Sequence, residues 1–273
     1  MRKSAIPAVA AAAGLAIGLT GCGAGSGSGG GDKLVVGATA VPAGEVLTYI
    51  QKNLAKKKGL DLEVREFTDY VLPNTSLQEG ALDANLYQHE PFLEDFNKSK
   101  KADLVPVTGV YLPPMGVYAK QRKDVTKLPA GATVAVPNDT TNEGRALQLL
   151  ASKGVIELKK DAGPNASPAD IAANPKKLVF KELDPAQLPR SLDDVAAAVI
   201  NNNYALDAGL SPKKDAILLE TVKNNPYVNV LAVKKGDEAD PRVKKLAELL
   251  TSPEVGKFIE DKYKGSVLPV TGT

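Results

Sequence analysis

From residue 33 onward the apolar positions follow two alternating patterns. Short apolar runs read as strands at 34–39, 104–110, 117–119, 133–136, 177–183, 196–200 and 227–233, and strict apolar/polar alternation reads as a strand at 60–67. Longer runs with apolar residues three and four apart read as helices at 46–58, 92–100, 146–153, 242–250 and 253–262. This alternation predicts an α/β architecture of mixed, largely parallel sheets flanked by helices. Segments 112–116 and 224–227 read as crossovers. They imply a discontinuous first lobe, 33–113 plus 228–273, an inserted second lobe, 114–227, and a ligand cleft between the lobes.

The N-terminus has a different pattern. Arg2 and Lys3 precede an apolar run from 5 to 19 that is interrupted by Pro7, Gly14 and Gly18. A membrane-spanning helix needs roughly 20 apolar residues, so residues 1–21 read as a secretory signal peptide. The signal ends Leu19-Thr20-Gly21-Cys22, which resembles the bacterial lipobox, in which the cysteine becomes the lipid-modified first residue of the mature chain. Cys22 is the only cysteine, so no internal disulfide can form. Residues 22–32 are then a lipidated cysteine and a flexible Gly/Ser tether. The Gly25-x-Gly27-x-x-Gly30 spacing inside the tether follows no strand, so it is not a dinucleotide fingerprint. The expected location is the bacterial cell membrane, lipid-anchored, on the extracytoplasmic side.

Charge and motif content exclude several functions. The chain has 34 basic and 32 acidic residues, a net charge of +2. Loss of Arg2 and Lys3 with the signal brings it to zero. No basic stripe suggests nucleic acid, and the lysines at 56–58 and 98–101 read as solvated helix ends. His89 is the only histidine, which rules out a multi-histidine metal site. No Gly-x-Ser-x-Gly, His-Glu-x-x-His, Cys-x-x-Cys or phosphate-loop motif occurs. No catalytic residue, metal or cofactor is expected. An enzyme reading would rest on Glu90 beside His89, but adjacent strand residues point to opposite faces.

Several stretches offer binding chemistry. Asn138-Asp-Thr-Thr-Asn-Glu-Gly-Arg145 follows a strand and opens a helix near Thr140. The first N–H groups of that helix, with Arg145 one turn in, form either a carboxylate receptor or an ordinary capped helix with a surface arginine. Tyr87 and His89 share one strand face. Phe67 and Tyr70 cluster at the end of another strand, where ligands of open α/β sheets bind. Asn201 follows an apolar strand, and Asn229 interrupts one. Each is either a structural amide or a ligand contact.

In order along the mature chain, Phe67-Thr-Asp-Tyr-Val-Leu-Pro-Asn74, Asp83-Ala-Asn-Leu-Tyr-Gln-His89, Pro114-Met-Gly-Val-Tyr118, Val136-Pro-Asn-Asp-Thr-Thr-Asn-Glu-Gly-Arg145, Gln187-Leu-Pro-Arg-Ser-Leu-Asp-Asp194, Ala198-Val-Ile-Asn201 and Pro226-Tyr-Val-Asn229 resemble the methionine-binding lipoproteins of bacterial ABC importers, the NlpA family. The resemblance implies a two-lobed type II periplasmic-binding fold and no enzymatic activity. It implies that Arg145 clamps an α-carboxylate while Asn201 and Asn229 hold the amino and carboxylate groups. Tyr70, Tyr87 and His89 would line the side-chain pocket, with Phe67 behind or beside them and Asn142 as a further polar contact. Tyr87 stands where relatives commonly have phenylalanine, which adds a hydroxyl to the pocket. The implied partners are L-methionine or a close derivative, a permease and ATPase complex, and the membrane through the lipid on Cys22, with the receptor itself a monomer. The alternatives on the same scaffold are an enzyme, or a receptor for another small amino acid or short peptide.

Overall fold

A computed structural model of the chain describes residues 33–121 and 123–270, so the signal segment, Cys22 and the glycine-rich tether lie outside the described residues. The chain begins with β1 (Lys33–Thr39), α1 (Glu45–Asn53), β2 (Asp61–Phe67), α2 (Leu72–Gln78), β3 (Ala84–His89), α3 (Glu90–Lys100) and β4 (Leu104–Leu112). It continues with β5 (Gly116–Tyr118), β6 (Thr133–Pro137), α4 (Thr140–Ala151), β7 (Glu157–Leu158), β8 (Ile171–Ala173), β9 (Val179–Leu183), α5 (Leu188–Ser191), β10 (Ala197–Ile200), α6 (Asn202–Asp207), α7 (Pro212–Asp215) and β11 (Leu218–Leu219). The last elements are β12 (Asn229–Lys234), α8 (Pro241–Leu250), α9 (Pro253–Tyr263) and β13 (Leu268–Pro269).

These strands form two larger sheets within one contact unit that spans residues 32–273. The first has the order β13-β4-β12-β3-β1-β2, and the second β11-β5-β10-β6-β9. The chain passes from the first sheet to the second between Leu112 and Gly116, and returns between Leu219 and Asn229. Strands β7 and β8 pair separately.

Strand periodicity explains why both sheets are covered on both faces. In β1, Leu34, Val36 and Ala38 join α1, α8 and α9 in one core, while Val35 packs on the other side among Leu77, Leu93 and Phe96. In β10, Ala197 and Val199 face Leu147 and Leu150 of α4, while Ala198 and Ile200 face Leu188 and Tyr204. Alternate residues therefore feed different layers, and strands buried on both faces read as continuous apolar runs.

The sheets are mixed, but less parallel than the alternation implied. β2, β1 and β3 run parallel, as do β9, β6 and β10. Strands β12, β4 and β13 at one side, and β5 and β11 at the other, are antiparallel to their neighbours. The reversals come where the chain changes sheet or re-enters one, and no apolar run encodes direction. The helix expected at 46–58 stops at Asn53. A 3₁₀ turn, Ala55–Lys58, follows and is closed by Gly59 at φ 61°, which brings Leu54 and Leu60 into the core. The strand expected from 177 starts at Val179, because Lys177 is left-handed at φ 52°. Helix α2 has little periodicity. It starts because Asp69 Oδ1 accepts from the N–H groups of Val71 and Leu72.

Candidate functional site

One cavity draws on both sheets; the space between atoms there, open solvent included, is about 380 Å³. Seven of the anticipated residues line it: Tyr70, Tyr87 and His89 from the first-sheet side, Asn142 and Arg145 from α4, Asn201 after β10, and Asn229 at the start of β12. Phe67 does not line it. Its ring packs beside Leu77 and Leu82, close over Gly37, because strand alternation puts it on the face of β2 opposite Leu62 and Val64. Pro42, Gln88, Phe92, Pro113, Asn202 and Asn203 line the cavity without having been anticipated. The run Asn201-Asn-Asn203 contained a signal for two of them. Phe92 sits one turn into α3, and only its aromatic character marked it.

Two helix starts position the polar groups. Asp139 N-caps α4 by accepting from Asn142 N at 3.0 Å. His89 N-caps α3, its Nδ1 accepting from Phe92 N at 3.2 Å. These caps determine the remaining protons. Asp139 can only accept, so Asn142 Nδ2 donates to it, at 2.8 Å. Asn142 Oδ1 then faces His89 Nε2 at 3.2 Å and Asn201 Nδ2 at 2.8 Å. Because Nδ1 of His89 is an acceptor, Nε2 carries the proton and donates. Asn201 presents its NH₂ to Asn142, which leaves its Oδ1 buried with no partner among the described residues. Asn229 similarly donates Nδ2 to Tyr87 O at 2.8 Å, and its Oδ1 accepts no hydrogen bond among the described residues. Asn202, which donates Nδ2 to Pro114 O and Ser266 O, likewise keeps a buried Oδ1 with no partner among the described residues, so three amide oxygens of lining residues remain as acceptors. Burial is the main cause, and the Arg145 charge the second, holding the His89 pKa down to about 3, so the imidazole is neutral.

Arg145 is buried, with its side chain 3% exposed. The Nε–Nη2 edge of its fork is taken up by protein groups, which leaves Nη1 as the donor it can offer a ligand. Nε donates to Glu220 Oε1 at 2.9 Å and Nη2 to Glu220 Oε2 at 2.5 Å. Nη2 also donates to Pro113 O at 3.1 Å. Nη1 has no hydrogen-bond partner among the described residues. The Tyr227 ring lies 4.1 Å from the guanidinium carbon. Glu220 went unanticipated because it simply ends the apolar run at 216–219. One residue earlier, Gly144 lets segment 164–166 lie directly against α4, since a side chain there would collide with the carbonyl of Pro164.

The other wall is aromatic. Tyr70 packs against Tyr87, Phe92 and Tyr204 at centroid distances of 5.8, 5.7 and 5.0 Å. The Tyr87 hydroxyl donates to Tyr70 O at 2.8 Å, so its proton is engaged within the wall. Tyr70 donates to Asn203 Oδ1 at 2.5 Å, and Tyr204 to Thr68 O at 3.1 Å. These two bonds tie segment 68–70 to α6 across the cavity. Behind the wall, Asn74, Asn85 and Gln88 satisfy one another in a buried amide network.

Two acidic residues complete the surroundings. Burial, then Glu182, raises the Glu143 pKa to about 7. Burial also raises that of Asp139. Among the described residues no group of three or more His, Cys, Asp or Glu side chains could hold a metal ion, and no helix is long and apolar enough to cross a membrane.

The arrangement is an α/β cleft with one buried guanidinium, three open amide acceptors and an aromatic wall. That is the construction of a small-molecule binding protein. The NlpA lipoprotein family model matches residues 34–271, and the chain belongs to that family. The chain is 40% identical over 243 residues to the methionine-binding lipoprotein MetQ of Bacillus subtilis, covering 88% of each chain. Among solved structures it is similar to a nutrient binding protein from Burkholderia cenocepacia bound to methionine. That match has 50% identity and a TM-score of 0.84, covering 86% of this chain and 99% of the other. It is also similar to an ABC transporter periplasmic substrate-binding protein from Coxiella burnetii. There the identity is 42% and the TM-score 0.83, covering 87% of this chain and 100% of the other.

Proposed function

We propose that this chain is the membrane-anchored receptor of an ABC importer and binds L-methionine or a close methionine derivative, without catalysis. The observation that carries this reading is the pairing of unmet groups in one cavity. Asn201 Oδ1 is buried without a donor, and Arg145 Nη1 has no acceptor among the described residues. An α-ammonium and an α-carboxylate on one carbon supply these two partners. Asn229 Oδ1 would be a second acceptor for the ammonium. The aromatic wall suits a thioether, since sulfur gains about 0.3–1.5 kcal/mol per aromatic contact. No acidic or lysine side chain lines the cavity, so a charged ligand side chain would be buried unpaired.

In this reading the segments 33–113 plus 228–273 and 114–227 act as two lobes that close on the ligand, with 112–116 and 219–229 as the connections between them. The receptor is a monomer held by lipid on Cys22 at the outer face of the cell membrane, and it delivers its ligand to a permease and ATPase complex. Native mass spectrometry of the freshly purified, untagged protein tests the ligand. A mass excess equal to one methionine supports the reading. An excess matching a different class of molecule, or failure to bind added methionine, rejects it.

A further inference from the structure

Glu220 does not line the cavity, yet it determines what Arg145 can offer there. Its backbone N–H donates to Met115 O at 2.9 Å, while its carboxylate accepts from Met115 N at 3.1 Å. The same carboxylate takes Nε and Nη2 of Arg145. Glu220 follows β11, which pairs with β5, so it is fixed from two directions. Its side chain is 11% exposed. A carboxylate held by three such bonds, on a residue whose backbone is paired as well, is a fixed neighbour of the arginine rather than a stand-in that a ligand displaces.

The consequence is electrostatic. Among the described residues Arg145 is the only lysine, arginine, aspartate or glutamate lining the cavity, and Glu220 balances its charge before any ligand enters. Asp139, behind Asn142, caps the positive end of α4. A ligand with net charge would leave that charge uncompensated in an enclosed site, where it is expensive. A zwitterion brings none.

We propose that Glu220 is a specificity-determining positioning residue: it aims Arg145 Nη1 at the ligand carboxylate and restricts the cavity to ligands of zero net charge. The inference rests on the amino-acid reading above and deepens it. It divides molecules of nearly identical shape. The hydroxy analogue of methionine replaces ammonium by hydroxyl and is a net anion. Methionine amide replaces carboxylate by carboxamide and is a net cation. Both should be rejected. Removing the Glu220 charge leaves an arginine uncompensated, and the site should shift toward the anion.

The experiment is calorimetric titration of the wild type, Glu220→Gln and Glu220→Asp with these three ligands. In the wild type both analogues should bind at least roughly a hundredfold more weakly than methionine, since buried groups are left unpaired. In Glu220→Gln the ratio of hydroxy-acid to methionine dissociation constants should fall by at least about tenfold, while the amide ratio rises. This follows because the variant removes one full charge next to the guanidinium. Glu220→Asp should restore the wild-type ratios. If Glu220→Gln weakens all three ligands in parallel, Glu220 is only a support and the proposal is overturned. If that variant does not fold, the wild type decides: a hydroxy acid binding within about tenfold of methionine overturns the proposal. A wild type that binds methionine but does not discriminate by charge rejects this inference alone. One that binds no methionine rejects the receptor reading as well.

Discussion

Replacing Arg145 by methionine should damage two separable properties, because the guanidinium has two tasks. It partners Glu220, and it presents Nη1 to the cavity. The substitution leaves the Glu220 carboxylate, 11% exposed, with Met115 N–H as its remaining donor. Stranding one member of a buried pair costs about 3–5 kcal/mol. The partial exposure and the surviving donor place this case near the lower end, at about 3 kcal/mol. For a domain of this size about 2–4 °C accompanies each kcal/mol, so the ligand-free melting temperature should drop by roughly 6–12 °C. Adding Glu220→Leu removes the stranded charge, and apolar replacement of a whole buried pair is close to neutral. The double variant should therefore recover most of the stability. It should not recover binding, since the ligand carboxylate still lacks its partner, a loss of at least about 2 kcal/mol, or roughly thirtyfold. The assay is thermal unfolding of protein stripped of ligand by unfolding and refolding, alongside calorimetry with L-methionine. A single variant as stable as the double, or a double variant that binds methionine like the wild type, would refute the reasoning.

Four further outcomes are expected. Between pH 3 and 6.5 folded His89 binds fewer protons than an ordinary imidazole, so its contribution to stability rises with pH; folded Glu143 binds more than an ordinary carboxyl between 4.5 and 7, so its contribution falls. The two slopes oppose each other, and in urea titrations Glu143→Gln should make stability rise more steeply with pH across 4.5–6.5, while His89→Asn should make it fall; unchanged slopes would remove both assignments. Tyr70→Phe breaks the bond to Asn203 and should speed methionine release in stopped-flow measurements, with a binding loss of about 1 kcal/mol; an unchanged off-rate would deny that the bond holds the cavity shut. Gly144→Ala drives a methyl into the Pro164 carbonyl and should displace α4, lowering both stability and affinity; wild-type melting and binding together would show that the loop gives way at no cost. Cys22→Ser should move the protein from the membrane to the soluble fraction with methionine affinity intact; retention on membranes after a high-salt wash would rule out the lipid anchor.

Much of the fold was legible because burial has a period. Strands such as β1 and β10, buried on both faces, show as unbroken apolar runs, and α8 and α9 show as apolar stripes. Strand direction was not legible, since β12 and β4 would read the same whether parallel or antiparallel. Neither was the break after Asn53, which depends on Gly59 adopting a left-handed turn and on both flanking leucines being drawn inward. At the site, residues at helix starts and strand ends stood out, so Arg145, Asn142, Asn201, Tyr87 and His89 were accessible from sequence. What Arg145 bonds to was not. Glu220 lies 75 positions away, and only the antiparallel pairing of β11 with β5 brings it there. Phe67 shows the opposite limit: an aromatic at a strand end looks like a cavity wall, yet alternation puts it on the strand face that packs against Leu77 and Leu82.

In the proposed receptor the cavity holds the zwitterionic head of methionine between Arg145 and Asn201, with the thioether against Tyr70, Tyr87 and Phe92. The most direct measurement is calorimetric titration of refolded, ligand-free protein with L-methionine, repeated in the presence of equal lysine or glutamate. Saturable one-to-one binding that the charged amino acids leave unaltered is expected, together with a loss of that heat in Asn201→Ala. Binding that lysine or glutamate abolishes at equal concentration, or wild-type affinity in the Asn201 variant, would contradict it.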